Sequence, residues 1–411
     1  MMHSSPGFSR PVVVPAEADL RRAADVLNAG KKVAILVGQG ALGAADQVAE
    51  IAEALGAGVA KALLGKAVLP DDLPFVTGSV GWLGTAASNE MMTECDTLLL
   101  VGTGMPYTEF LPEPGRARAV QIDLSAAMLG LRYPVEVGLV GDAAATLVAL
   151  RPMLTPKADR AWRQRIEGKV ADWWREAERR AMQDANPVNP QRLVWELSNR
   201  LPDDVIFAAD SGSAAVWMAR DLRIKRGVMA SISGTLATMG CALPYALAAK
   251  FCFPDRPAIA LMGDGAMQML GLNSLLTAAK YWRSWSDPRL ILVVLNNRDL
   301  NYVTWEQRAM EGEPKYPASQ DLLDLPYAKY GELFGFGGVR VERPEQIGPA
   351  WEQALAADRP FVIDAVVDPD VPTLPPWLKE DVAKKLRQAM AAGDPNTAGM
   401  KRQMAREGVM T

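Results

Sequence analysis

Short, almost wholly apolar runs punctuate the chain: Lys31–Val37, Thr97–Gly102, Ala119–Asp123, Val205–Ala209, Ala258–Met262, Leu290–Leu295 and Phe361–Val367. Runs of this length without polar alternation suit strands buried on both faces of a parallel sheet. Between them, Ala45–Leu55 and the stretch from Ala266 through Met267, Leu270, Leu272, Leu275 and Leu276 have the apolar spacing of helices. Strands separated by helices predict an α/β fold of two doubly wound parallel-sheet domains. A Rossmann-like domain is expected over 11–154 and a second over 191–370. Residues 155–190 read as a helical linker, charged around Trp162, Trp173 and Trp174 and broken at Asn186-Pro187-Val188-Asn189-Pro190. Those tryptophans are expected to pack between domains. Residues 1–10 read as a disordered leader. The tail 371–411 has helical spacing at Trp377, Leu378, Val382, Leu386 and Met390, which suits docking on the domain better than membrane contact.

Composition narrows the function classes. With 411 residues, 49% of them apolar, the chain has ample core for two or three domains. A net charge of −4 without a long basic run gives no nucleic-acid footprint. Cys95, Cys241 and Cys252 have no metal-site spacing and point to a reducing compartment, with the cytoplasm as the expected location. His3, the single histidine, lies in the leader, which excludes histidine triads and histidine metal sites from this chain. No apolar run is long enough for a membrane-spanning helix.

The chemistry-bearing residues cluster at the ends of two apolar runs. Ala258–Met262 stops at Gly263-Asp264-Gly265, and a helical stretch follows. The free N–H groups at such a helix start attract an anion, which Asp264 would repel unless a divalent cation lay between them. Mg²⁺ takes hard oxygen ligands, commonly one or two protein groups with phosphate oxygens and water. The run Leu290–Leu295 delivers Asn296 and Asn297, 33 positions beyond Asp264, to the same carboxyl edge if the two strands are parallel neighbours. A lone Gly-Asp-Gly also makes ordinary turns, so the pairing with Asn297 carries the argument.

This arrangement resembles the signature of thiamine diphosphate enzymes. The resemblance implies that Asp264 and Asn297 hold Mg²⁺ through their side chains and Asp299 through its backbone carbonyl, with Gly263, Gly265, Ala266 and Met267 next to the diphosphate. The interval is a few residues longer than the family usually shows, and Tyr281–Pro288 reads as the surface insertion responsible. Upstream, the stretch from Ser231 to Lys250 resembles the family segment in which a bulky residue before a glycine wedges beneath the bent cofactor. Met239 and Gly240, with Thr238, take that place; Met239 by itself would more often be core packing. Asp210-Ser211-Gly212-Ser213 resembles a diphosphate-contacting loop, with Gly212 and Ser213 as the contacts, and capping of a helix is the equal alternative for Ser213.

In the first domain, Gly38-Gln39-Gly40, Ala62–Lys66 and Gly102–Tyr107 resemble the central domain of pyruvate oxidases, which in some members holds FAD. Gly38, Gly40 and Asp123 would then face the dinucleotide, although Leu64 stands where flavin-bearing relatives have an arginine. The resemblance begins at the family's middle domain. The family's N-terminal pyrimidine-binding domain, which supplies the glutamate that activates the cofactor across a dimer interface, has no counterpart here, and Glu306 is no substitute. A homo-oligomer is therefore expected, with a separate chain bearing that domain as a candidate partner, and the isolated chain is expected to be weak or inactive. The implied activity is decarboxylation of a 2-oxo acid in the manner of pyruvate oxidase. Acetolactate synthase-like carboligation and a non-catalytic cofactor-binding subunit or gene remnant are the alternatives. Tyr302 and Trp305 could face substrate or serve as lid packing.

Overall fold

In the computed structural model the described residues are 11–408; the leader 1–10, with His3, and the last three residues of the tail lie outside them. They form two compact units, one of 11–68 with 90–167 and the other of 69–89 with 168–408. The segment 69–89 therefore differs from the simple linear division expected above. Its Asp71 carboxylate accepts the Ile224 N–H at 2.8 Å, and Ser79 Oγ donates to the Ala219 carbonyl at 3.0 Å. The stretch expected as a linker is dominated by one helix, Ala161–Ala181, within which the division falls.

Twelve strands are used in chain order. In the first half they are β1 (Val33–Val37), β2 (Gly58–Lys61), β3 (Val76–Ser79), β4 (Thr97–Val101), β5 (Arg118–Asp123) and β6 (Val137–Val140). The first unit arranges five of them in parallel as β2-β1-β4-β5-β6. All five residues of β1 and of β4 are buried, as their apolar runs predict, whereas β6 alternates buried and exposed at the sheet edge. The helix Ala45–Leu55 between β1 and β2 ends at Gly56 in the left-handed conformation. Trp162 donates its indole N–H to the Val33 carbonyl at 2.9 Å, so it is tied to β1 within its own unit.

The second unit contains β7 (Ile206–Ala209), β8 (Met229–Ser231), β9 (Ala258–Gly263), β10 (Leu290–Asn296), β11 (Gly337–Val341) and β12 (Phe361–Val366) in the order β11-β12-β10-β9-β7-β8, all parallel. Both units are therefore parallel-sheet α/β domains, the fold class that the periodicity predicts. The chain steps from β7 out to β8 and returns across β7 to β9, a reversal that leaves a crevice outside the carboxyl ends of β7 and β9. The register places Gly263 opposite Leu295, so Asp264 and Asn296 leave adjacent strand tips.

Two further segments are tied to the core of this unit. Tyr281–Pro288 is mostly exposed or half-buried, as a surface segment should be, but it is anchored: Trp285 is buried in the apolar core of this unit, and Trp282 packs against it. The tail folds into helices Glu380–Ala391 and Thr397–Glu407, whose Val382, Leu386, Met390, Met400 and Met404 enclose Trp305. Its apolar stripe is thereby consumed by docking. Among the described residues no helix is long and apolar enough to cross a membrane, and all three cysteines are free.

Candidate functional site

The carboxyl edge of β7, β9 and β10 gathers the residues singled out in the second domain. Asp264 begins a helix that continues through a π-turn at Met267–Gly271 to Tyr281. Its carboxylate is 1% exposed and accepts N–H groups from Gly265 at 2.9 Å and from Arg298 at 2.5 Å. Burial pushes the Asp264 carboxyl up to about 7 despite those two donors, and the charge of Asp299 pushes the same way. A carboxylate that pays this desolvation cost without a cationic side chain has the chemistry of a cation ligand.

Arg298 makes the contact with Asp264 possible. It has φ 58°, the one non-glycine residue at positive φ among the described residues, and this places its N–H over the carboxylate. Such a conformation costs on the order of 1–3 kcal/mol and persists where surrounding contacts enforce it. Asn297 is buried, and its Oδ1 accepts the Asp299 N–H at 3.1 Å, which leaves a second lone pair. Asn296 points elsewhere, donating to Asp324 and Asp364 at 3.1 Å each. Its anchoring explains why the second asparagine, not the first, is available at the edge.

Among the described residues no three His, Cys, Asp or Glu side chains converge on a metal position. A cation here would take one carboxylate, one carboxamide, a backbone carbonyl and ligand oxygens, which is the mixed hard-oxygen set that Mg²⁺ accepts. In donor chemistry, the Asp264 carboxylate, the Asn297 carboxamide and the Asp299 carbonyl match that set. The Asp299 side chain does not join them, because it accepts from Thr304 at 2.8 Å, Asn301 at 3.2 Å and Lys315 at 3.1 Å.

The glycine-bearing loops lie beside this turn. Side chains close in on Gly265: a Cβ there would stand 2.8 Å from Leu300 Cδ2 and 3.2 Å from the Met239 methyl. Met239 thus reaches the Asp264 turn, while Gly240, at φ 89°, abuts Leu270. Ala266 and Met267 turn their side chains into the core, and the Met267 N–H is spent on the Asp264 carbonyl, so only the backbone before it could meet a ligand. Gly263 has open space above its Cα.

At the tip of β7, Gly212 adopts φ 88° and precedes the helix Ser213–Arg220. The Ser213 hydroxyl meets Asn301 Oδ1 at 3.0 Å instead of capping that helix. Ser211 Oγ donates to the Thr238 carbonyl, joining this loop to the exposed Thr238. The sequence left one essential connection unread. Asp210, fully buried, accepts from Ser211, Gly240 and Ala242 at 2.9, 2.8 and 3.0 Å, locking the Met239-bearing turn to β7. Burial raises its carboxyl pKa, with the backbone donors opposing the shift. A buried acid directly after an apolar strand and before Ser-Gly was the available signal.

The first unit's switch point, between β1 and β4, is built differently. Gly38 N–H donates to Val101, Gly40 N–H to Gly102, Ala41 N–H to Gly38 and Leu42 N–H to Gln39. A Cβ on Gly38 would lie 2.4 Å from the Gly102 carbonyl oxygen, and one on Gly65 2.6 Å from that of Val37. The glycines serve backbone crossing, and the N–H groups of Gly38, Gly40, Ala41 and Leu42 are donated within the backbone, which leaves this turn poorly supplied with donors for a flavin diphosphate. Asp123 accepts the Ser125 N–H at 2.9 Å in a local turn.

Comparison with known proteins decides the family. The thiamine pyrophosphate enzyme central-domain model matches residues 20–150, and the C-terminal TPP-binding-domain model matches 210–365. The chain belongs to the thiamine pyrophosphate enzyme family. It is 34% identical over 371 residues to YdaP of Bacillus subtilis, a protein named as thiamine pyrophosphate-containing, covering 90% of this chain and 63% of that one. A probable acetolactate synthase large subunit of Methanocaldococcus jannaschii is 29% identical over 90% of this chain and 64% of its own. Pyruvate oxidase of Lactiplantibacillus plantarum is 25% identical, over 88% and 59% respectively. The chain spans less than two thirds of the length of these relatives. Within this family the two units correspond to its central and cofactor-binding parallel-sheet domains.

Proposed function

We propose that this chain carries the diphosphate and Mg²⁺ site of a 2-oxo acid carboligase of the acetolactate synthase kind. The observation that carries the cofactor reading is the buried Asp264 carboxylate, without a cationic partner, facing the Asn297 turn from the neighbouring strand tip. Carboligation is preferred to pyruvate oxidation on two grounds. Acetolactate synthases recur among the relatives from several organisms. The turn expected to cradle a flavin spends its donors internally.

Thiamine diphosphate, when bound, supplies the carbanion chemistry that cleaves and forms bonds beside a 2-oxo group. This chain's residues would bind and orient it. Asp264, Asn297 and the Asp299 carbonyl would hold the cation; the backbone at Gly212 and Ser213 would face phosphate oxygens; Met239 would set the bend from below. Asp210 would keep the Met239 turn in register. The activating glutamate is expected from a pyrimidine-binding domain, on this or a partner chain, in a homo-oligomer.

Supplying pyruvate, Mg²⁺ and thiamine diphosphate together with a pyrimidine-domain chain tests the reading. Acetolactate should accumulate without added flavin. Acetate production that requires FAD, with no acetolactate, would reject carboligation in favour of oxidation.

A further inference from the structure

The tail that docks on Trp305 also reaches the candidate cation turn through buried charge. Asp394, in the connection between the two C-terminal helices, forms a bidentate pair with Arg308, whose Nε and Nη2 lie 2.7 and 2.8 Å from its carboxylate oxygens. Both side chains are essentially sealed from solvent, at 1% and 0% exposed. The same carboxylate accepts the Lys315 backbone N–H at 2.8 Å. Lys315, 8% exposed, then turns its ammonium onto Asp299 at 3.1 Å and Asp321 at 2.7 Å. Asp299 ends the Asn297-Arg298-Asp299 turn, and its own N–H holds Asn297 Oδ1.

We infer that Lys315 and Asp394 are positioning residues for the cation turn, so that the C-terminal helical pair is a working part of the cofactor site. This rests on the cation site proposed above. The physical reason is charge balance and strain. The turn contains a left-handed Arg298 whose N–H holds the Asp264 carboxylate, and Asp299 follows it directly, so two acidic residues share one turn. Lys315 neutralises the one that is not a ligand, and Asp394 fixes where the Lys315 backbone sits. Without the ammonium, Asp299 would be a buried unpaired charge, and the turn would have to open toward water to solvate it. Opening displaces the Asp299 carbonyl and the Asn297 amide together, because the Asp299 N–H joins them.

The test uses the full chain with Mg²⁺ and thiamine diphosphate as probes, read by calorimetry and by tryptophan fluorescence. Lys315→Met keeps the aliphatic stem and removes the charge. It should raise the Mg²⁺ concentration for half-saturation by about 10–100-fold, the range seen when groups that orient metal ligands are lost. Saturating Mg²⁺ should restore thiamine diphosphate binding, and Lys315→Arg should restore most of the Mg²⁺ affinity. Asp394→Asn should weaken Mg²⁺ in the same direction; should that variant not fold, Lys315→Met decides alone. Unchanged Mg²⁺ half-saturation in Lys315→Met, or no recovery in Lys315→Arg, would overturn the inference. An unmodified chain that binds no thiamine diphosphate, or Asp264→Asn binding as tightly as the unmodified chain, would instead reject the underlying site.

Discussion

The two sheets of this protein end alike but build their terminal turns differently. Each has a switch point where the strand order reverses, at β1/β4 in the first unit and β7/β9 in the second, and each places a glycine-bearing turn there. In the first, glycine packs on glycine and the N–H groups of Gly38, Gly40, Ala41 and Leu42 are donated within the backbone. In the second, Gly265 makes room for Met239 and Leu300 while a buried carboxylate beside it accepts only backbone N–H groups. The difference teaches that a Gly-x-Gly spelling reports close backbone approach, whereas a buried carboxylate held only by backbone donors has the chemistry of a cation ligand.

Removing that charge gives the largest expected effect. Asp264→Asn should weaken Mg²⁺-dependent binding of thiamine diphosphate by about 100-fold or more, since it deletes a ligand outright where losing a mere support costs about 10–100-fold. Calorimetry on variant and parent, with circular dichroism to show that the fold persists, checks it. Similar affinities would erase the distinction between the two edges.

The mirror experiment belongs in the first unit. Gly38→Ala forces a methyl against the Gly102 carbonyl at 2.4 Å and the Thr103 Cα at 2.7 Å, contacts that only backbone movement relieves. Thermal unfolding should show a loss of about 3 kcal/mol, the upper end of ordinary overpacking. Thiamine diphosphate affinity of the folded fraction should not change. A stable variant with weakened cofactor binding would show that the first edge serves a ligand after all.

How far this contrast could be read from sequence depends on the kind of signal. The buried strands β1, β4, β9, β10 and β12 stand out because each is a nearly unbroken apolar run, and the adjacency of β9 and β10 follows from the crossover between them. Short or half-exposed strands such as β6 and β8 carry no comparable pattern. Asp264 and Asn297 were legible because glycine and paired asparagine frame them after such runs. Arg298 was not, since nothing in an arginine announces a left-handed backbone; tertiary contacts impose it. Asp394 lies far along the chain from the turn, and nothing in the sequence pairs Lys315 with Asp299, so their contacts become visible only when the fold closes. Trp285 reads as part of an exposed loop by its polar neighbours, but burial of its indole in the core overrides them.

The second unit should also respond to pH through the loop after β12. Burial, reinforced by the neighbouring Asp368 charge, pushes the Asp370 carboxyl up to about 6, with Asn396, Arg308 and Arg402 opposing. An acid raised in the folded state binds more protons folded than unfolded between its two values. Stability contributed by this group is therefore full below about pH 4, falls as pH rises to about 6, and is level above that. Asp370→Asn, which keeps an acceptor for Asn396, should remove about 3 kcal/mol of that decline. Chemical denaturation of both proteins from pH 4 to 7 measures it; parallel curves would show that Asp370 is ionised throughout.

The smallest expected effect is the most pointed one for the comparison. Asp123 stands at the tip of β5, where a dinucleotide-binding acid would sit, but its carboxylate is occupied by the Ser125 N–H in a partly exposed turn. Deleting such a contact at a surface costs within about 0.5 kcal/mol. If the first edge is scaffold, Asp123→Ala leaves stability nearly unchanged, and titration of parent and variant with FAD gives no saturable change in flavin fluorescence for either. Were the parent to bind FAD and Asp123→Ala to bind it tenfold more weakly, the spent donors at Gly38–Leu42 could not be the resting arrangement of that turn. The two sheet edges would then both be ligand sites, and the oxidative reading would regain its footing.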